Sequence, residues 1–345
     1  MKISIIFLLL SLIFCSDELD NTLYHKYEKF MKDYGKSYNS IEEMTQKYQV
    51  FKKNYLSAKM LYEEKNSNEE LTYGISEFMD LTPEEFEKKY LTLNGNEAPV
   101  DYEVYYQDKQ ANESEEFLKE RNLQEQEKEE IPESFDWRIK GAVNPVRTQG
   151  GCGSCWAFTA LSNIESQYFL KYGVLPNLSE QQLIDCDTSN SGCSGGVIHY
   201  AFNHARLNGG LVPESKYRYL GYDSYCKFNP DDVVVKVKAY QMAGTMDEEV
   251  IKEMLYKKGP LAITINARTL QYYTGGIINL DYSYCPYAPN HGVNLVGYGV
   301  SASGLKYWII RNTWGAYWGE GGYFRIARGR GLCGVNAYVS TAIVE

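Results

Sequence analysis

The residues best equipped for chemistry lie in one block, Gln149-Gly150-Gly151-Cys152-Gly153-Ser154-Cys155-Trp156-Ala157-Phe158. Cys155 opens a stretch, Cys155 to Lys171, that reads as a helix with an apolar face. Unpaired backbone N–H groups and the positive end of the helix dipole favour a thiolate there. Such a nucleophile needs an imidazole to take and return a proton. His291, in Asn290-His291-Gly292-Val293, offers one, 136 residues downstream. Asn312, in Arg311-Asn312-Thr313-Trp314-Gly315, lies 157 residues after the cysteine. Its amide suits fixing the tautomer and orientation of the ring, the part a carboxylate plays in serine triads. Taken alone, Cys152 and Cys155 also fit a redox dithiol or two ordinary bridging cysteines.

The elements that must position these residues belong to an uneven chain. It has 345 residues and a net charge of -10, with 44% hydrophobic and 23% charged residues. That excludes a collagen-like or wholly disordered protein. The acidity argues against electrostatic nucleic-acid binding. Residues 1–130 hold 16 basic and 28 acidic side chains, whereas the other 215 hold 19 and 17. All five tryptophans and seven of the eight cysteines fall in the second part, so two different objects share one chain.

Met1-Lys2 followed by the apolar run Ile3 to Phe14 and then Cys15-Ser16 reads as a secretory signal, residues 1–16. It is too short for a stable bilayer span, and no membrane anchor is expected elsewhere. A secretory route implies disulfides. Without Cys15, seven cysteines remain, and an odd count leaves one thiol unbridged without saying which.

Residues 17–95 read as a helical domain. Glu42 to Glu64 lacks Gly and Pro and carries Met44, Tyr48, Phe51, Tyr55, Ala58 and Tyr62 on one stripe. Thr82-Pro83 with Glu85 has the pattern of a capped helix start. Residues 96–130 read as an acidic linker open to proteolysis, with eight acids between Glu113 and Glu130. From residue 131 the texture changes. Ser179 to Gln182 has capping-box spacing, and a helix is expected to Lys258 behind Asp247. Leu261–Asn266, His291–Tyr298, Lys306–Arg311 and Tyr323–Ala327 read as antiparallel strands. The fold class is thus α+β, helical first and β-rich second.

The block around Cys155, with His291 and Asn-x-Trp downstream, resembles the papain-like cysteine proteases, in particular their cathepsin L-like branch. The resemblance covers nearly the whole chain after the leader. It implies the papain-like two-lobed fold, with a helical lobe and an antiparallel β-barrel-like lobe. It makes Cys155 the nucleophile, His291 the general acid/base and Asn312 its orienter, Gln149 the side-chain donor of the oxyanion hole, and Trp314 a shield over the Asn–His pair. It implies disulfides Cys152–Cys193, Cys186–Cys226 and Cys285–Cys333, leaving Cys155 free. It implies a cleft with Gly195 and Gly196 as a glycine wall, Asn290 beside the histidine, and a main subsite lined by Val197, Ile198, Thr264, Gly292 and Tyr338. Tyr338 would shorten that subsite and favour apolar, medium-sized side chains.

The front part matches the inhibitory propeptide of that family. Glu43, Lys47, Phe51, Asn54, Ala58 and Tyr62 occupy its helix motif, the last two departing from it. Gly74, Ser76, Phe78 and Asp80 form the second motif, with Ser76 where Asn is usual. The expected protein is a zymogen of a cysteine endopeptidase in the secretory pathway, destined for a lysosome, a digestive vacuole or the outside. Its propeptide would lie in the cleft near residues 90–110, release at acidic pH, and leave residues 131–345 as the mature monomeric enzyme. Its partners would be protein and peptide substrates and its own propeptide, with no cofactor. The alternative is a catalytically silent binding or storage relative. His199 and His204, five apart, do not have helical zinc spacing. Asn112 and Asn177 head sequons.

Overall fold

In a computed structural model the chain is described over residues 20–64, 71–93, 103–106 and 130–345. The apolar leader, Asn112 and the acids at 113–129 lie outside the described residues.

The front domain is built from aromatic helices. Helix α1 (residues 20–33) packs on α2 (Ile41–Glu64) through Tyr27, Phe30, Tyr48 and Phe51, all buried. The rings of Tyr27 and Phe30 lie 5.3 and 5.2 Å from that of Phe51. A short strand β1 (Thr72–Tyr73) leads to α3 (Pro83–Tyr90). Here Thr82 and Glu85 form the reciprocal capping box, and Pro83 stands where no N–H is needed. Strand β2 (Glu103–Tyr106) then appears in the stretch the sequence suggests is a bare linker. There its backbone pairs antiparallel with Ala239 to Met242.

The second part opens with β3 (Phe135–Asp136) and the central helix α4 (Cys155–Tyr172). Twelve of the 18 residues of α4 are buried, so it is apolar on most sides and runs through the interior. Helices α5 (Glu180–Cys186) and α6 (Ile198–Leu207) complete a helical lobe around Trp156, Leu161, Leu183 and Phe202. Ser179 caps α5 by accepting from the Gln182 N–H, but the reciprocal half of the expected capping box is not made. The Gln182 side chain is committed elsewhere, bonding Gly210 O and Val212 N.

Strand β4 (Val237–Ala243) and α7 (Glu248–Lys258), capped by Asp247, precede the remaining strands. These are β5 (Leu261–Ile265), β6 (Tyr273–Gly275), β7 (Ile277–Ile278), β8 (His291–Val300), β9 (Lys306–Arg311), β10 (Tyr323–Ala327) and β11 (Val339–Val344). The main sheet runs β2-β4-β11-β5-β8-β9-β10-β7, with β3 beside β8, and is antiparallel except for β7 against β10. Disulfides join Cys152 to Cys193, Cys186 to Cys226 and Cys285 to Cys333.

One apolar core runs from the front domain into the β-rich lobe, taking in Phe51, Phe78, Phe86, Tyr273, Trp314 and Trp318. The domain also adds β1 to β6 by antiparallel pairing and β2 to β4. Asn54 ties α2 to this seam: its amide donates to Met79 O and Leu81 O and accepts from Tyr272 O–H.

Phe51 is fully buried at the junction of α1 and α2. Phe51→Ala is expected to destabilise the front domain by about 3–5 kcal/mol. In denaturant titration of the full chain, an unfolding phase of the front domain should move to lower concentration; an unshifted profile refutes the assignment of Phe51 as its keystone.

Candidate active site

Cys155 is the first residue of α4, and its thiol is buried and unbridged among the described cysteines. Cys152 is bonded to Cys193, so the two cysteines of the block cannot act as a dithiol. His291 is the first residue of β8, across the seam between helical lobe and sheet. Asn312 follows β9, with its N–H held by Gly322 O at 3.0 Å.

The amide orientation of Asn312 can be derived. Its Oδ1 lies 2.9 Å from the Thr313 backbone N–H, which can only donate, so that atom must be the oxygen. The same Oδ1 is 2.8 Å from His291 Nε2. Nε2 therefore carries the proton, and in the neutral ring Nδ1 keeps its lone pair. Nδ1 makes no hydrogen bond and is the nitrogen left to exchange a proton with a thiol. The Trp314 ring covers this pair, its centroid 4.9 Å from that of the imidazole.

Gln149 is tied to the same region. Its N–H donates to Thr313 O at 2.8 Å, and Thr148 bridges to Trp314. The side-chain Oε1 accepts from the Thr313 hydroxyl, while Nε2 donates to Cys152 O at 3.0 Å. One hydrogen of that amide remains for a further acceptor near Cys155.

Five residues of the front domain close the site. Thr92 donates its hydroxyl to Gly153 O at 2.8 Å. Leu93 N–H donates to Asn290 O at 3.2 Å, and Leu93 bridges to Gly196 in parallel sense. Gly196 itself has no room for a side chain, since a Cβ there would sit 2.5 Å from Asn190 Oδ1 and 2.7 Å from the Trp156 ring. Phe78, Phe86 and Tyr90 pack edge-on against Trp314. Of the propeptide stretch expected in the cleft, residues 90–93 lie there; 94–102 and 107–110 fall outside the described residues. Lys47 pairs with Glu85 and Asp80 with Lys36, while Glu43 accepts from the Asn39 N–H.

This cover sets the electrostatics. Burial pushes the Cys155 thiol up, against the pull of the Gly292 N–H and the Thr92 hydroxyl. Burial pushes His291 down to about 4, although Asn312 and the Tyr90 carbonyl favour its charged form. Both shifts disfavour charge, so the cover favours a neutral thiol and a neutral imidazole. Gly195, Val197 and Ile198 line the wall leading into α6, with Val197 N–H held by Asn190 Oδ1. The sequence bears on His199 only in lacking zinc spacing with His204. It is bonded through Nδ1 to the Tyr338 hydroxyl, 139 positions away and beyond the reach of any local pattern.

A nucleophile-type cysteine with a committed imidazole, shut off by the chain's own N-terminal region, is the arrangement of a latent thiol hydrolase. The papain family cysteine protease model matches residues 131–343, and the cathepsin propeptide inhibitor domain (I29) matches residues 27–86. The chain belongs to the papain family of cysteine proteases: it is a cysteine endopeptidase preceded by an intramolecular inhibitory propeptide. Cysteine proteinase 15A of Pisum sativum is 39% identical, over 92% of this chain and 85% of that protein. Fruit bromelain of Ananas comosus is 36% identical, over 93% and 86%. Among solved structures, digestive procathepsin L2 from Tenebrio molitor larval midgut aligns with a TM-score of 0.80 at 33% identity, covering 93% of this chain and 99% of its own.

Cys155 is 0% exposed beneath Thr92. At pH 7 the intact precursor is expected to react with iodoacetamide at Cys155 at least about 100-fold more slowly than an exposed thiol, as burial and a raised pKa both demand. Equal rates, read by peptide mass mapping, would contradict the covered site.

Proposed function

We propose that this chain is a secretory-route zymogen whose residues 131–345 hydrolyse peptide bonds through Cys155, His291 and Asn312. The observation that carries the reading is the Asn312-oriented His291, its Nδ1 without a hydrogen bond and the Tyr90 carbonyl facing the ring, while Thr92 covers Cys155. Removal of the cover readmits water and lets charge form. Cys155 then passes its proton to His291 Nδ1, and the thiolate attacks the substrate carbonyl carbon. The carbonyl oxygen, now negative, is held by the spare Gln149 N–H and the Cys155 backbone N–H. His291 returns the proton to the leaving amine as the C–N bond breaks. Water, deprotonated by His291, cleaves the thioester and restores the thiol. Gly195 and Gly196 let an extended substrate backbone pair with the wall, as Leu93 does in the precursor.

The front region would comprise the leader 1–16, the inhibitory domain 17–95 and the linker 96–130. No helix among the described residues is long and apolar enough to cross a membrane. The resemblance and the leader support an acidic vesicle or the exterior as destination and a monomer as the working form.

Acid release follows from which carboxylates the fold holds charged. Lys52 and Tyr48 hold Asp20 below its usual range. Burial raises Glu85, but the Thr82 N–H and Lys47 outweigh it, and the net shift is downward. Stability from such depressed acids is present above their unfolded pKa, near 4, and is lost as pH falls through the folded value. Glu77 acts in the opposite sense. Burial pushes it up to about 6, against the pull of Lys36. Its protonation strengthens the closed form as pH falls through 6. Opening is therefore expected towards pH 4, not at pH 6.

Two outcomes check this. Cys155→Ala should abolish hydrolysis with the fold intact, and Gln149→Ala should lower kcat about 10²–10³-fold; near-normal turnover in either variant counts against its assigned role. Incubated across pH 7 to 4, the precursor should shorten to residues near 131–345 only in the lower part of the range. Glu77→Gln should reduce leakage of activity at pH 7 and make no difference at pH 4. Greater leakage at pH 7 would reverse the sign assigned to Glu77.

A further inference from the structure

A cavity of about 150 Å³ lies on the seam between the two halves of the chain, away from Cys155. Tyr34, Ser76 and Glu77 of the front domain form one wall, and Tyr273, Thr274, Tyr317 and Trp318 of the protease form the other. An engineered cavity of about this size holds benzene. The hydroxyls set into these walls are committed. Tyr34 donates to Ile75 O at 3.0 Å and Tyr273 to Gly276 O at 2.7 Å. Thr274 donates to Thr72 O, and Ser76 to Gln271 O. Tyr317 stands at the rim, 99% exposed.

Glu77 is the exception. Its carboxylate makes no hydrogen bond or ion pair with any described residue. Lys36 pulls on it from a distance, but the Lys36 ammonium is bonded to Asp80 Oδ1 at 3.1 Å, and Asp80 adds a like charge. Tyr34 and Tyr90, the other titratable groups near it, are kept neutral by burial. No charged side chain of the protease lines the cavity. Glu320, just past it, is taken up by the Gly276 N–H and Arg325. A half-buried carboxylate therefore faces a ring-lined space without a counter-ion, which is unfavourable. Rings and a carboxylate together suit an organic cation, drawn by the charge and by the aromatic quadrupoles. A neutral guest would leave the carboxylate unpaired, and an anion would be repelled.

We propose that the seam cavity binds a small organic ammonium ion, its charge on Glu77 and its alkyl groups against Tyr34, Tyr273, Tyr317 and Trp318, and that the bound ion holds the precursor closed. The walls belong to both halves, so the complete site exists only while the halves are together. The ion then opposes opening by mass action. Burial pushes Glu77 up to about 6. The ion binds the charged carboxylate, so the latch is present at pH 7 and is lost as pH falls through 6. It supplies near neutrality the charge relief that protonation supplies below 6.

The test uses the intact full chain at constant ionic strength, with tetramethylammonium as the ion and calorimetry for its Kd. Opening is read by the rate of iodoacetamide labelling of Cys155. At pH 7 and ten times Kd, that rate should fall about tenfold. Sodium ion, and tert-butanol as a neutral molecule of nearly the same shape, should leave it unchanged. Glu77→Gln should abolish both the binding and the slowing. Tyr317→Ala, which removes an exposed ring, should raise Kd at least about threefold and leave the labelling rate without the ion unchanged. At pH 5 the wild-type Kd should be about tenfold higher than at pH 7, as protonation of a group titrating near 6 requires. Absence of binding, equal slowing by sodium or tert-butanol, a response kept in Glu77→Gln, or binding without slowing overturns the proposal. None of these readings involves hydrolysis, so the proteolytic reading stands or falls separately.

Discussion

An imidazole that serves as both base and acid must have one nitrogen committed and the other uncommitted, and the arrangement here follows from that requirement. A single amide oxygen, Asn312 Oδ1, accepts from the Thr313 N–H and from His291 Nε2. The first bond fixes the amide, the second fixes the ring, and Nδ1 is left without a hydrogen bond, as the proposed proton exchange requires. The bond is useful only if water does not compete for Oδ1, which makes Trp314 part of the same device. The strands follow from it too. Asn294 on β8 pairs with Arg311 on β9, which brings the two strands side by side so that His291, at the head of β8, and Asn312, just past β9, meet. The loop carrying Gln149 is fastened to Thr313 and Trp314, so the proposed oxyanion donor is referenced to the same point.

The propeptide uses the device it silences. Phe78, Phe86 and Tyr90 dock on the outer side of the indole that shields the histidine. An apolar surface needed by the working enzyme thus doubles as the anchor of its inhibitor. With the anchor seated, Thr92 falls over Cys155, and desolvation moves the thiol up and the imidazole down. On the proposed mechanism, inhibition is chemical as well as steric: the segment covers Cys155 and withdraws the solvent that would support an ion pair.

Much of the site was legible in the chain because its chemistry is concentrated. Cys155, His291 and Asn312 sit in short motifs at element boundaries, and the helix and strand starts they mark are where the structure has them. Strands β4 and β11 were not legible: both are buried on nearly every residue and lack the alternation that betrays a half-exposed strand. Helix α6 could have been found, since Ile198, Ala201, Phe202 and Ala205 follow the helical period and are its buried face. The Ser179 box misled because Gln182 is buried and its amide serves two distant backbone groups. Contacts such as His199 with Tyr338 depend on register between α6 and β11, which no local pattern encodes.

The two halves of the chain differ in charge, 16 basic and 28 acidic residues against 19 and 17, yet charge does not do most of the holding. The inhibitor is joined through β1 on β6, β2 on β4 and Leu93 on Gly196, and through the apolar seat on Trp314. Backbone hydrogen bonds and apolar contacts do not titrate. Among the described residues, acid acts on carboxylates that the fold of the inhibitory domain holds charged, such as Asp20 and Glu85. The salt bridges are partly exposed and individually weak. Protonation alone therefore loosens the domain without stripping the strands from the sheet. Lasting release needs the chain to be cut between the last strand added, β2, and the first residues of the protease, so that the strands are no longer held at high effective concentration. On the proposed reading, that cleavage falls in the acidic stretch whose composition sets the two halves of the sequence apart.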